Sequence, residues 1–259
     1  MKMKLKLPVI LSLVMAMVGS TSSAAFADSE NKPIAESNVA RAFVVEDGIK
    51  KELSIEEYDL LVQENDKKLQ LLETQKSIMK NSINSGDLKS SSEQDLISPF
   101  AIMNLSKYTE AGFIPTVYRN DLARRVSVPV YNDSTQTVTR TISFSASQSY
   151  TSNVSLSSTY ARDAFSAGVT VGSSWSKTFS SSDSVSQPIP PKKYSWMHYT
   201  PNMSNSYGTM HEEVWNFDGH SNVKLVDKTY FLDVYIAKNG NAGLPDGLYV
   251  VKETDYLPN

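Results

Sequence analysis

The chain has 259 residues, a formal net charge of −3 at pH 7 and no cysteine. The absence of cysteine excludes thiol catalysis, thiolate metal sites and a disulfide framework, so the stability has to come from a packed core. The mildly acidic charge gives no electrostatic basis for binding nucleic acid, because attraction to phosphate backbones depends on clustered Lys and Arg side chains.

Residues 1–27 have the pattern of a secretory signal peptide. Three lysines precede an apolar run over residues 7–18, and Ala25-Phe26-Ala27 matches the A-x-A cleavage pattern. The apolar run is shorter than the ~20 residues that a membrane-spanning helix needs. We therefore expect an exported, extracellular protein. Its mature formal charge would be −6, because residues 1–27 contain three lysines and no acid.

Residues 28–85 form an N-terminal segment with one long predicted helix. Ser54-Ile55-Glu56-Glu57 has the capping-box form that starts helices. Apolar residues then recur at spacings of three and four, with Asn65 and Lys76 occupying positions in the same seam. The favoured interpretation is an amphipathic helix packed on the rest of the chain. The alternative is a coiled-coil or pro-region that masks another surface.

Residues 86–99 are polar and small, and they are the predicted linker, where proteases would also cut. Residues 100–259 contain short runs rich in Val, Tyr, Phe and Thr, separated by turn residues, which predicts an antiparallel β domain. The predicted strands, apart from those of the hairpin described next, cover residues 125–131, 194–200, 209–217, 225–238 and 247–253. The predicted fold class is therefore mainly β, with an elongated antiparallel domain preceded by an amphipathic helix.

The sharpest pattern in the sequence is a strict alternation that begins at Val138. Between residues 138 and 157 every second residue is Ser, Thr or Asn, and the residues between them are mostly apolar. A similar alternation occupies residues 165–186. Side chains that alternate between two faces are typical of strands. With residues 158–164 as a short connector, the pattern predicts one long Ser/Thr-rich antiparallel hairpin.

The two faces of this hairpin would suit a membrane pore. The more apolar face is predicted to contact lipid through Ile142, Phe144, Tyr150, Val154, Leu156, Phe165, Val169, Val171, Trp175 and Phe179. The hydroxylated face is predicted to line the pore lumen through Ser143, Ser145, Ser147, Ser149, Thr151, Thr170, Ser174 and Ser176. Each strand exceeds the ~9–11 residues that cross a bilayer. Arg140, Lys177 and Asp183 disfavour insertion over the full length, which restricts insertion to the half near the connector. An ordinary half-exposed sheet and an envelope-binding surface are the alternatives.

Over residues 126–200 the sequence resembles the aerolysin-like β-pore-forming toxins, especially the epsilon-toxin and mosquitocidal-toxin branch. The resemblance is carried by the alternating strands and by the proline-containing step Gln187-Pro188-Ile189-Pro190-Pro191 that leads into the next strand. The resemblance implies a toxin that is cleaved within residues 86–99 and binds a membrane or cell-surface receptor. Such a toxin then forms a homo-oligomer and inserts a β-hairpin. The family usually places that hairpin between separate flanking strands, whereas the pattern here predicts a single pair.

The sequence gives little support for an enzyme. The histidines, His198, His211 and His220, are scattered, and His211-Glu212-Glu213 lacks the second histidine of a zinc-protease helix. Neither a nucleophile elbow nor a glycine-rich phosphate loop is present. We therefore predict no catalytic residues, no cofactor and no metal. The alternative to a toxin is a non-catalytic secreted β protein that binds a partner or the cell envelope.

Overall fold

The computed structural model describes residues 38–84, 101–156, 159–217, 222–238 and 243–258. The predicted signal peptide and the predicted linker lie outside the described residues. Within the described residues the chain is mainly β, and every paired strand runs antiparallel to its partners. The predicted fold class is confirmed.

The elements occur in the following order along the chain. They are β1 (Asn38–Glu46), β2 (Ile49–Leu53), α1 (Ile55–Asn84), β3 (Ala101–Asn104), β4 (Lys107–Tyr118), a 3₁₀ helix (Asn120–Leu122), β5 (Arg124–Arg125), β6 (Val130–Tyr131), β7 (Val138–Gln148), β8 (Thr151–Ser152), α2 (Thr159–Gly168), a second 3₁₀ helix (Gly172–Ser176), β9 (Phe179–Ile189), β10 (Tyr194–Phe217), β11 (Asn222–Ala237) and β12 (Gly247–Thr254).

The larger of the two sheets is organised around β10, a strand of 24 residues. The first part of β10 pairs with β12 on one side and with β5 and β6 on the other. The remainder pairs with β11 on one side and with β3 and β4 on the other. The sheet then continues from β12 to β1 and β2, so the segment before α1 also contributes strands.

One continuous strand replaces the two strands predicted at residues 194–200 and 209–217. The residues between them, including Pro201 and Gly208, have low strand propensity, but the neighbouring strands pair with them throughout. Gly208 is required by close packing, because a Cβ there would lie 2.1 Å from the backbone oxygen of Thr109. Pairing on both sides of β10 therefore outweighs the local preference for a turn.

Helix α1 packs on the sheet, and its capping box forms as the sequence indicates. The backbone N–H of Ser54 donates to Glu57 Oε2 at 2.8 Å, and the N–H of Glu57 donates to Ser54 Oγ at 3.1 Å. Buried Asn65 exchanges two hydrogen bonds with the backbone of Tyr118, at 2.8 and 2.9 Å. This polar seam residue therefore attaches the helix to β4, which agrees with the favoured interpretation of the seam.

The second polar seam residue, Lys76, forms a buried ion pair with the sheet. Its ammonium group lies 2.9 Å from Asp233 Oδ2 and 2.8 Å from the hydroxyl of Tyr235, both on β11. Burial lowers the pKa of Lys76, but the carboxylate of Asp233 and the hydroxyl of Tyr235 outweigh that effect, so the pKa is raised and the amine stays charged. The helix is thus connected to β11 through the buried charge of Lys76.

Replacement of Lys76 by Met is expected to lower the free energy of unfolding by about 3 kcal/mol, because Asp233 keeps its burial and loses its cation. Urea unfolding at pH 7 measures the difference. Lys80→Met, on an exposed position of the same helix, is the control and should change the free energy by less than about 0.5 kcal/mol. Equal losses in the two variants would show that the ion pair does not stabilise the fold.

Candidate functional site

Strands β7 and β9 form a separate two-stranded ribbon, which we call the ribbon. Its 11 residue pairs run without a register shift from Val138–Ile189 to Gln148–Phe179. On one face Ile142 and Phe144 are buried in a core cluster with residues of β1, β10 and β12. The long Ser/Thr-rich hairpin is therefore present over these 22 residues.

The other face of the ribbon carries the predicted hydroxyls and is exposed. Cross-strand pairs of serine follow one another along it, namely Ser143–Ser184, Ser145–Ser182 and Ser147–Ser180. An open groove of about 920 Å³ runs between the first two of these pairs and the segment at residues 125–129, where Val128 is 81% exposed. The ribbon thus covers the core as an outer layer and does not lie between two layers.

The predicted continuation of the hairpin beyond the ribbon is wrong for this state of the molecule. Residues 149–178, which we call the excursion, contain the two-residue strand β8, helix α2 and a 3₁₀ helix. Helix α2 includes most of the predicted connector. Its buried residues Ala161, Ala164 and Phe165 have helical spacing, although the sequence after Phe165 also fits a strand. The excursion folds back because an isolated two-stranded extension would expose its apolar face to water.

Aromatic packing attaches the excursion to the large sheet. The ring of Phe165 lies 4.9 Å from that of Tyr108 on β4, and the ring of Trp175 lies 5.1 Å from Phe165 and 4.6 Å from Tyr150. Met210 and Leu232, from β10 and β11, complete this cluster, together with other side chains of the same strands. The apolar side of the excursion is therefore buried on the sheet.

Apart from the backbone pairing of β8 with β11, polar contacts between the excursion and the sheet are few. Asn153 donates from its side chain to the carbonyl of Phe231 at 3.1 Å and accepts from the N–H of Asp233 at 2.8 Å. Thr170 Oγ1 donates to Glu110 Oε2 at 2.6 Å. Among the described residues, none of the excursion's side chains takes part in an ion pair with the sheet. Apolar burial is the main attachment.

The residues predicted to face lipid are all at least partly buried in this structure. Ile142 and Phe144 belong to the ribbon's core cluster, Leu156, Phe165, Val169 and Trp175 are buried in the excursion's cluster, Tyr150, Val154 and Val171 border it, and Phe179 packs near Leu72 of α1. The residues predicted to face a lumen are mostly exposed. Ser143, Ser145, Ser147, Thr170, Ser174 and Ser176 are exposed, while Ser149 and Thr151 are half-buried.

The attachment depends on two residues whose role the sequence did not reveal. Asn153 interrupts the series of hydroxyl residues and forms the side-chain hydrogen bonds to β11. Gly168, at the end of α2, lies so close to β4 that a Cβ would be 2.5 Å from the backbone oxygen of Tyr108. In the sequence, Asn153 could have been noticed because it breaks the series of hydroxyl residues. No feature of the sequence indicates that Gly168 packs closely against β4.

In the described ranges, His, Asp and Glu side chains do not gather in threes where they could hold a metal ion. Over the same ranges, each helix is too short or too polar to span a bilayer. The Tyr, Trp and Phe side chains between residues 194 and 217 divide into two groups. Trp196 and Tyr199 are buried, whereas Tyr194, Tyr207, Trp215 and Phe217 are half-buried.

Replacement of Gly168 by Ala is expected to loosen the excursion, although Gly→Ala ordinarily stabilises a helix. The new methyl group would overlap Tyr108 and weaken the attachment by about 1–3 kcal/mol. Hydrogen exchange should become faster in residues 159–176 and stay unchanged in β7 and β9. Ala167→Ser, at an exposed neighbouring position, is the control. Slower exchange in the Gly168 variant would contradict the described packing.

Comparison with known proteins gives little further information. No family model matches the sequence, and neither does any curated protein. A search of solved structures finds the Cry23Aa1 and Cry37Aa1 binary protein complex, with 11% identity over 60% of this chain and 79% of that chain, and a TM-score of 0.19. This TM-score is too low to support an inference about fold or function, so the site is interpreted from its own geometry.

Proposed function

We propose that this protein is a secreted, pore-forming, toxin-like protein. In this mechanism the excursion leaves the large sheet and extends the ribbon as one antiparallel hairpin, and several copies of that hairpin line a pore. The observation that carries the proposal is the register of the ribbon.

The ribbon's register keeps both faces of the hairpin continuous beyond its last pair, Gln148–Phe179. Extension of the same register would place Thr151 opposite Ser176 on the hydroxylated face. It would also place Leu156 opposite Val171 on the apolar face. A shift of one residue would exchange the two faces, so this agreement is specific. The ribbon can therefore serve as a template on which the excursion pairs without slipping.

The length and charge of the excursion suit one bilayer crossing per strand. Residues 149–157 and 170–178 are nine residues each, close to the ~9–11 that a tilted strand needs to cross. Lys177, next to the ribbon, is the one charged residue in these two runs. Arg140 and Asp183, which disfavoured full-length insertion, belong to the ribbon and would stay outside the membrane. Helix α2, with Arg162 and Asp163, would become the tip.

The way the excursion is attached favours release at a membrane. Apolar contacts such as those of Phe165 and Trp175 dominate the attachment. Detachment into water would lose this burial, whereas a lipid environment would replace it. The backbone groups would be paired within the hairpin and with neighbouring copies, which is the condition for entering hydrocarbon. Membrane contact would therefore lower the cost of the change.

A disulfide between the excursion and the sheet is expected to abolish pore formation. Ser152 and Val234 are direct cross-strand partners, so Ser152→Cys with Val234→Cys places two thiols within bonding range. The natural chain has no cysteine to interfere. The oxidised variant, nicked with protease or intact, should release no dye from liposomes, and reduction should restore wild-type release.

A second disulfide provides the matched control. Ser143 and Ser184 are partners in the ribbon, and the proposed hairpin keeps them paired, so a Ser143→Cys with Ser184→Cys bridge should leave dye release unchanged. If the oxidised 152–234 variant released as much dye as the wild type, detachment of the excursion from the sheet would be ruled out as the mechanism. Failure of the wild-type protein to release dye from any liposome or lyse any cell would rule out pore formation.

A further inference from the structure

A lysine, an arginine, a histidine and an indole gather on the face of the sheet opposite the ribbon. Met197 on β10 packs into the ribbon's core cluster, so Trp196 and His198 project to the other side. Lys252 on β12 is the direct partner of Trp196, and Arg125 on β5 is the direct partner of His198. Directly paired residues share a face in antiparallel sheets. The four side chains therefore share one face as two adjacent pairs, Trp196 with Lys252 and His198 with Arg125.

Acidic partners of these hydrogen-bond donors are missing from the described part of the chain. There, neither the side chain of His198 nor that of Lys252 forms a hydrogen bond or an ion pair. The Arg125 guanidinium donates to the carbonyl oxygen of Pro258 at 2.8 Å, and within the described part of the chain it forms no ion pair. The nearby tail carboxylate, Asp255, is paired with Lys193 at 2.5 Å. Among the described residues, the positive charge of Lys252 is thus unmatched.

Partial burial makes the unmatched charge of Lys252 costly. Trp196 is 5% exposed, and His198 and Lys252 are half-buried. Burial lowers the pKa of Lys252. Burial, and then the charge of Lys252, lower the pKa of His198 to about 4. A half-buried cation normally pairs with an anion, because desolvation without a partner is unfavourable. The arrangement is complementary to a ligand that brings negative charge and several acceptor oxygens.

We propose that Trp196, His198, Lys252 and Arg125 form a binding site for a phosphate-type oxyanion. The indole N–H, the imidazole, the ammonium and the guanidinium would each donate to one of its oxygens. The four donors come from three strands that the large sheet holds in register, so the site is formed before the ligand arrives. Arg125 also borders the groove beside the ribbon, but the proposed site does not depend on pore formation.

Inorganic phosphate is the first probe, with sodium chloride of equal ionic strength as the reference. The pKa of His198 is measured by following its proton NMR signal as the pH is changed. The signal that is lost in His198→Gln is assigned to His198. Bound phosphate should raise this pKa from about 4 toward the ordinary value of about 6.5, because an anion stabilises the charged ring. Phosphate should also raise the unfolding temperature of the folded protein.

Lys252→Met should weaken the phosphate response at least about tenfold, because the ammonium contact is lost. Without phosphate this variant should be at least as stable as the wild type, since an unpaired half-buried charge has been removed. Lys107→Met is the matched control. Lys107 is exposed and lies opposite His211, far along β10, so its loss should leave the response unchanged.

Vesicles of phosphatidylcholine, with and without phosphatidic acid, are used to distinguish a lipid headgroup from a free ion as the ligand. A Lys252-dependent response to inorganic phosphate supports a free anion as ligand. A Lys252-dependent response that only phosphatidic acid produces supports a headgroup phosphate. No response to either probe would overturn the proposal, and so would an equal response in wild type and Lys252→Met.

Discussion

The packing of Phe165 and Trp175 against the large sheet is the interaction on which the rest of the structure depends. These two rings, with Tyr108 and Tyr150 beside them, hold the excursion in its folded-back form. Full burial of one such side chain contributes about 1.5–3 kcal/mol. The attachment is therefore strong enough to order the excursion in water and weak enough to be replaced by another apolar environment.

The ribbon and the excursion share one sequence pattern but differ in how the fold uses it. The ribbon's inner face, with Ile142 and Phe144, is part of the core that also contains Tyr249. Its outer face of serines is exposed. The excursion has the same alternation, yet it forms a helix and a 3₁₀ helix that pack on a different part of the sheet. The same alternating pattern thus occurs in the ribbon, which is part of the core, and in the excursion, which is attached to the sheet mainly by side chains.

Much of this fold could be predicted from local sequence patterns. The alternation after Val138 predicts the ribbon, and the capping box at Ser54 predicts where α1 begins, because both depend on neighbours in the sequence. Helix α2 was not predicted, because a second alternation starts at Phe165 although the residues around Phe165 also have helical spacing. Tertiary burial decides between the strand and the helix. The continuous course of β10 through Pro201 likewise follows from pairing with distant strands.

The two candidate sites differ in how far the sequence could reveal them. The hairpin faces are visible in the sequence because strand periodicity places them. The proposed oxyanion site is not visible, since Arg125, His198 and Lys252 are far apart along the chain and come together only through strand register. That Lys252 has no ion pair among the described residues is a property of the folded molecule, because it depends on which carboxylates other residues already engage.

The most direct test of membrane insertion is a residue-by-residue scan of the excursion. Single cysteines at each position of 149–157 and 170–178, labelled with an environment-sensitive fluorophore, report whether that position enters lipid when liposomes are added. The account predicts a signal that alternates with a period of two, with the positions of Tyr150, Val154 and Leu156 in lipid and those of Thr151 and Ser155 in water. An unchanged signal, or one that varies with a helical period, would contradict it.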